Sequence, residues 1–260
     1  MPDHTAWGLG TVERRSTTEQ VLHELRAAIL AGRIKPTEQL PEVALAQAFG
    51  TGRSAIREAI RHLVQEGLVV TEINRGARVR PVSTPDLIDV YRARTAIEVA
   101  AVGALLDHPN GFDIAPLQHA QQRIVELSPA DGDATPSREL IAADIDFHRV
   151  MVSLAGSPRL SRAHEPLAAE SQMLLNWHPV YSVSDYVADH QKLLEAIASR
   201  DPAAGDVVRA HLVLTVDLLS EEATRYASRL TSAESLVHSD GPVHTNSDVH
   251  TDSHKEESLG

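Results

Sequence analysis

The 260-residue chain contains no cysteine. That excludes disulfides, thiolate nucleophiles and Cys-ligated zinc, leaves His, Asp and Glu as the available metal ligands, and makes a reducing compartment the default. A run of ~18 apolar residues is also missing, as is a basic, apolar leader at the N-terminus, so the expectation is a cytoplasmic chain that is neither secreted nor membrane-spanning. Positive charge is in short supply: 24 Lys plus Arg face 36 Asp plus Glu, net −12. Taken as a bulk property, that acidity argues against a nucleic-acid partner.

The distribution of charge reverses this inference. Residues 1–82 hold 11 basic and 9 acidic side chains, net +2, whereas 83–231 hold 12 and 21, and 232–260 hold 1 and 6. Four parts follow: a flexible N-terminus over 1–16, a mildly basic module over 17–82, an acidic module over 83–231 and a tail over 232–260. The tail is rich in Ser, Asp, Thr and His and poor in apolar side chains, so it cannot repay the entropy of ordering and is expected to be disordered. Its loose repeat VHSD, VHTN, VHTD supplies His238, His244, His250 and, further on, His254, a weak metal-binding composition at most.

In the basic module, Val21, Leu22, Leu25, Ile29 and Leu30 form one apolar stripe of a helix over Thr17–Ala31, with Thr17 or Thr18 as N-cap and Gly32 past its end. A short helix fits Pro41–Phe49, with Val43, Leu45, Ala46 and Phe49 as its buried face. After the break at Gly50, Thr51 and Gly52, a third helix over Arg53–Glu66 buries Ile56, Ile60, Leu63 and Val64. Two β-rich runs, LVVTEI and ARVRPV, joined by Asn74, Arg75 and Gly76, then signal a hairpin. That order is a winged helix-turn-helix. Arg53 and Arg57 are spaced i and i+4, so both project from one face of the third helix, where a guanidinium fork can reach guanine O6 and N7. Arg61 continues the face, Arg75 sits at the hairpin tip, and Arg78 and Arg80 are expected along the wing. The alternative is a solvated face with these arginines paired to Glu58 and Glu66.

The stretch AAILAGRIKPTEQLPEVALAQAFGTGRSAIREAIRHLVQEGLVVTEINRGARV resembles the DNA-binding domain of the GntR family of bacterial transcription regulators. The family pattern runs G-x-[apolar]-x-P-G-x-x-L, then LA-x-x-[apolar]-G-x-S-R-x-x-[apolar]-R-E-A, then L-x-x-x-G-L with a Gly-tipped wing. The resemblance implies double-stranded DNA as partner, contacted by Arg53, Ser54, Arg57, Arg61, Arg75 and Gly76. Gly52 stands where the family has Ser or Thr, which removes a side-chain cap worth a few tenths of a kcal/mol. Val43 stands where several relatives carry Arg, which removes one DNA contact.

From Thr84 onward the pattern is helical: Pro85–Leu106, Ile114–Leu127, Ser137–Ala155, Leu160–Trp177, Ser184–Ser199 and Pro202–Ser228. The fold class is therefore mainly α, a winged helix-turn-helix followed by an all-α antiparallel bundle. Asp144 and His148 share one helix face, and His190 and His211 lie on two later helices. Three imidazoles and a carboxylate suit a divalent ion, and an octahedral one would keep two positions open. On spacing alone, hydrogen-bonded core or surface histidines remain the alternative.

This half resembles the FCD ligand-sensing domain of the FadR branch of that family, through DIDFHRVMVSLAGSPRL, HQKLLEAIASRD and AGDVVRAHL. The resemblance implies Asp144, His148, His190 and His211 as ligands of a divalent metal, zinc first and nickel or manganese next. In YRARTAIEVAAV, Arg94 falls on the arginine that faces the pocket in relatives, implying an effector contact with a small organic acid; an intrahelical pair with Glu98 is the alternative. The function implied is that of a non-enzymatic regulator, a repressor that binds an inverted-repeat operator as a homodimer and responds to a small carboxylate. A metal-dependent enzyme acting on an organic acid and a DNA-binding protein whose second domain only dimerises are the rival readings.

Overall fold

The computed structural model describes residues 16–72, 75–81, 83–108, 111–129, 135–177 and 182–237. The expected flexible residues 1–15, Asn74 of the hairpin loop, Val82 at the boundary between the two modules and the His-bearing tail from 238 onward lie outside them.

Helix α1 (Thr17–Leu30) starts one residue earlier than its threonines suggest. Ser16 is the N-cap: its hydroxyl accepts from Glu19 N and the Glu19 carboxylate accepts from Ser16 N, a capping box. Gly32 closes the helix at φ +66, a left-handed turn that glycine adopts without penalty. Helix α2 (Glu42–Ala48) has Pro41 as N-cap and buries only Ala46 fully. Val43 and Phe49, expected inward, are 53% and 37% exposed; a two-turn helix presents one narrow stripe, and Ala46 with Leu45 fills it. Helix α3 (Arg53–Gln65) begins at Gly52 with no side-chain cap and buries Ile56, Ala59, Ile60 and Leu63.

The wing is β1 (Val69–Glu72) paired antiparallel with β2 (Gly76–Val79), in the register Val69 with Val79 and Glu72 with Gly76. The segment before α2 lies along β2: Thr37 N donates to Val79 O, Leu40 N to Ala77 O, and Val79 N to Glu38 O. Thr37 is held there at φ +68. A β-branched residue is strained in that region, and the family pattern has glycine at this position.

The second half consists of α4 (Thr84–Leu106), α5 (Ala115–Leu127), α6 (Arg138–Leu154), α7 (Pro158–Trp177), α8 (Val183–Ala198) and α9 (Ala204–Val237). Ser83 and Ser137 cap α4 and α6 through Asp86 N and Leu140 N. Helix α4 packs on α6 and α7, α5 packs on α6 and α8, and Leu105, Leu117, Ile124, Phe147, Leu193, Ile197 and Val208 fill the core between them. Each large apolar side chain so buried contributes ~1.5–3 kcal/mol. No helix among the described residues is long and apolar enough to cross a membrane.

Helix α9 continues past Ser228, where the pattern suggests an end, and takes in 232–237, the start of the expected tail. Poverty in apolar side chains argues against a packed core, whereas helix propensity is local, and Ala233, Glu234 and Leu236 are strong helix formers with no Gly or Pro before Gly241.

Helix α7 also completes the core of the winged module, inserting Ala169 and Met173 among Val21, Leu25, Ile29, Ile60 and Leu63. Asn176 Nδ2 donates to Leu30 O at 2.7 Å, and the Arg138 guanidinium lies 5.7 Å from the Trp177 ring centre. Arg80, expected along the wing to add non-specific attraction, donates to Gly67 O and pairs with Glu170 of α7 at 3.9 Å. Two carbonyl and carboxylate acceptors on one side decide its direction.

Candidate functional site

Helices α6, α8 and α9 bring four side chains to one point. Asp144 and His148 lie on the inward face of α6, His190 comes from α8 and His211 from α9, with one donor atom of each within 4.8 Å of all the others. His148 Nε2 lies 3.3 Å from both His190 Nε2 and His211 Nε2, and His190 Nε2 lies 2.9 Å from Asp144 Oδ1. Metal–ligand bonds of about 2.0–2.2 Å separate neighbouring ligands by about 3–3.5 Å. The donors therefore fit a small divalent ion in type and in spacing.

Electrostatics agrees with that fit. Burial, together with the neighbouring imidazoles, holds His211 well below the ordinary histidine value. Burial also lowers His148, although the Glu98 charge opposes it. Both imidazoles are thus neutral at physiological pH, with lone pairs available to a metal. Burial alone would raise Asp144, but His190, His148 and His211 outweigh it and keep the carboxylate ionised.

Glu98 of α4, fully buried, organises the next layer. Its Oε2 accepts from His148 Nδ1 at 2.7 Å, which fixes the tautomer and points Nε2 at the centre. Its Oε1 accepts from Arg94 Nε at 2.8 Å and from His164 Nε2 at 2.9 Å. The Arg94 charge, with the hydrogen bonds from His148 and His164, holds Glu98 well below the usual carboxylate range despite its burial. Arg94 is itself 1% exposed, and its Nη2 is buried without a hydrogen-bond partner among the described residues. The intrahelical alternative for Arg94 is observed: Nε pairs with Glu98, and Nη2 is left without an acceptor among the described residues. Spacing offered Glu98 only as an intrahelical partner. His164 gave no sequence signal, because it arrives through the packing of α7 on α4.

In the winged module Arg53, Ser54, Arg57 and Arg61 are all exposed on α3, and Arg75 and Gly76 are exposed at the wing tip. Arg57 Nη1 is 3.5 Å from Glu42, Arg61 Nη2 is 2.7 Å from Glu58 and Arg75 Nη1 is 3.6 Å from Glu72. Exposed pairs of this kind are worth ~0–1 kcal/mol and yield readily to phosphate or a base edge. Arg53 has no ion-pair partner among the described residues. Glu66, the other expected partner, is taken by Arg26, and Arg78 is drawn to Glu72.

Comparison with known proteins agrees with this division. Residues 17–79 match the model for bacterial regulatory proteins of the gntR family, and residues 89–214 match the FCD domain. The HTH-type transcriptional repressor GlaR of Escherichia coli (strain K12) is 27% identical over 204 residues, 76% of this chain and 93% of that one. The uncharacterized HTH-type transcriptional regulator YdhC of Bacillus subtilis (strain 168) is 26% identical over 195 residues, covering 74% and 86%. The HTH-type transcriptional repressor NanR of Klebsiella aerogenes is 29% identical over 224 residues, covering 76% and 84%. A crystal structure of a GntR transcriptional regulator from Rhodococcus sp. RHA1 superposes with a TM-score of 0.68 at 25% identity, covering 80% of this chain and 99% of that one. E. coli McbR/YncC shares the fold, with a TM-score of 0.60 at 21% identity over 83% of this chain and all of the other. With both domains matched on one chain, the protein belongs to the GntR family of transcription regulators, in the group that carries an FCD domain, and not to a family of enzymes.

Proposed function

We propose that the protein is a repressor that holds an inverted-repeat operator as a homodimer and releases it when a small organic acid binds the FCD domain. The observation that carries this reading is the pairing of a four-donor cluster with the buried Nη2 of Arg94, which has no partner among the described residues. Such a nitrogen costs free energy while it lacks an acceptor, and a ligand carboxylate is the acceptor it suits best. A metal held by Asp144, His148, His190 and His211, zinc by donor type with nickel or manganese next, supplies a Lewis-acid anchor for that carboxylate. Arg94 orients the acid, Glu98 holds Arg94 and His148 in place, and the surrounding apolar core excludes water.

Arg53, Ser54, Arg57 and Arg61 read the major groove in this account, while Arg75 and Gly76 reach the neighbouring groove or backbone. Repressor names among the relatives support the sign of regulation. The test is a thermal-shift screen of small mono-, di- and tricarboxylates with Zn²⁺ present or removed by a chelator. The account expects a shift for at least one acid that disappears with chelator and in Arg94→Ala. A second domain that only dimerises would give no metal-dependent shift with any acid.

A further inference from the structure

We propose that His164 couples the four-donor cluster to the DNA-reading head, with Glu98 as the shared joint and α7 as the lever. The proposal rests on the metal-and-effector reading above and adds the route by which that site reaches DNA. Glu98 divides its two oxygens between the site and α7: Oε2 accepts a hydrogen bond from His148 Nδ1 at 2.7 Å, and Oε1 is shared by Arg94 Nε at 2.8 Å and His164 Nε2 at 2.9 Å. All four residues are buried to 1% exposure or less, so bulk water does not compete for these bonds. An anion that draws the Arg94 guanidinium toward itself takes a partner from the oxygen that holds His164.

What His164 holds is the helix on which the reading head is mounted. Ala169 and Met173 of α7 are part of the head's core, Glu170 pairs with Arg80 at the base of the wing, and Asn176 takes the last carbonyl of α1, Leu30 O. His164 and Asn176 are twelve residues apart, about 18 Å along a helix axis. The far end of the lever is also built to shift. Asn176 Oδ1, Trp177 Nε1 and Arg138 Nη1 are buried there with no partner among the described residues, so opening the joint to water would restore hydrogen bonds that the closed joint forgoes. Arg138 is the first residue of α6, the helix that carries Asp144 and His148, so α6 and α7 both run from the site to this junction. A two-position element that both sites bias is what coupling requires.

Trp177 reports on the junction directly. The chain has two tryptophans, Trp7 and Trp177, so Trp7→Phe leaves one fluorophore. This full-length protein is titrated with Zn²⁺ alone, with bound zinc measured independently by equilibrium dialysis and metal analysis. The expected result is a Trp177 emission change that follows zinc occupancy. His164→Leu should bind zinc within about threefold of the parent, because His148 keeps its bond to Glu98, whereas loss of a ligand's own partner costs roughly 10–100-fold. In that variant the emission change at full occupancy should fall by about fourfold or more. His164→Gln, whose terminal N–H reaches the position of Nε2, should restore it. His164→Asn, too short to reach Glu98, should repeat the loss and replaces the Leu variant if that one does not fold. An undiminished Trp177 signal in zinc-loaded His164→Leu or His164→Asn overturns the coupling, as does a parent that binds zinc with no emission change. A parent that binds no zinc overturns the metal reading itself, and the lever with it.

Discussion

The winged helix-turn-helix and the FCD bundle treat charge in opposite ways. On α3 and the wing, Arg53, Arg57, Arg61 and Arg75 stand in solvent, and the pairs that three of them make with Glu42, Glu58 and Glu72 are solvent-accessible. In the bundle, Arg94, Glu98, Asp144, His148, His164 and His190 are all removed from water and bonded to one another at 2.7–3.3 Å. Exposed cations cost little to keep available, so they suit a partner that arrives as a whole surface of phosphates and base edges. Buried charges are tolerated only when paired, so a nitrogen left over in such a network points to a ligand small enough to enter it. The two regions differ in what a substitution should cost, and that difference can be measured.

The largest effect is expected at the centre of the bundle. Glu98→Leu leaves Arg94 and the two histidines it binds without their acceptor, and should destabilise the protein by about 3–5 kcal/mol in urea unfolding; a cost below about 1 kcal/mol would remove the distinction from the surface. Next comes His190→Ala. Zinc at about 100 times its dissociation constant should stabilise the parent by about 2.7 kcal/mol, and this metal-dependent gain should vanish in the variant. Chelator added to the parent should abolish it equally. On the head, Arg57→Ala should relax discrimination at one base pair by about 1–3 kcal/mol in operator binding. Its effect on unfolding should stay within about 0.5 kcal/mol, as for an exposed residue with a loose partner. The smallest change is Thr37→Gly, which relieves a β-branched residue at φ +68. After glycine's own entropy cost it should raise stability by about 0.5–1 kcal/mol, read as a shift of the urea midpoint.

Much of this contrast is legible in the sequence. Apolar spacing and the Gly, Pro and Ser boundaries locate the helices within a few residues, and Asp144 with His148 reads as one helix face because i and i+4 always do. The ends of elements are less legible. Ser16 caps α1 in place of a threonine because Glu19 completes its box, and α9 outruns the composition argument. Contacts between distant elements are not written in spacing at all. His164 reaches Glu98 only because α7 lies against α4, and Arg80 finds a carboxylate partner only because Glu170 is mounted on the same α7. Val43 and Phe49 look like core by residue type, but a helix as short as α2 has too little inward surface for them.

The central claim is that the buried cluster governs the exposed arginines. Its most direct test measures affinity for an operator fragment selected from a random duplex pool, using protein with Zn²⁺ and the carboxylate that gives the largest thermal shift, and the same protein stripped by chelator. The account predicts an affinity about 5–150-fold weaker when metal and acid are both present, with no response to the acid after stripping or in Arg94→Ala. Full response to the acid in metal-free protein would contradict it.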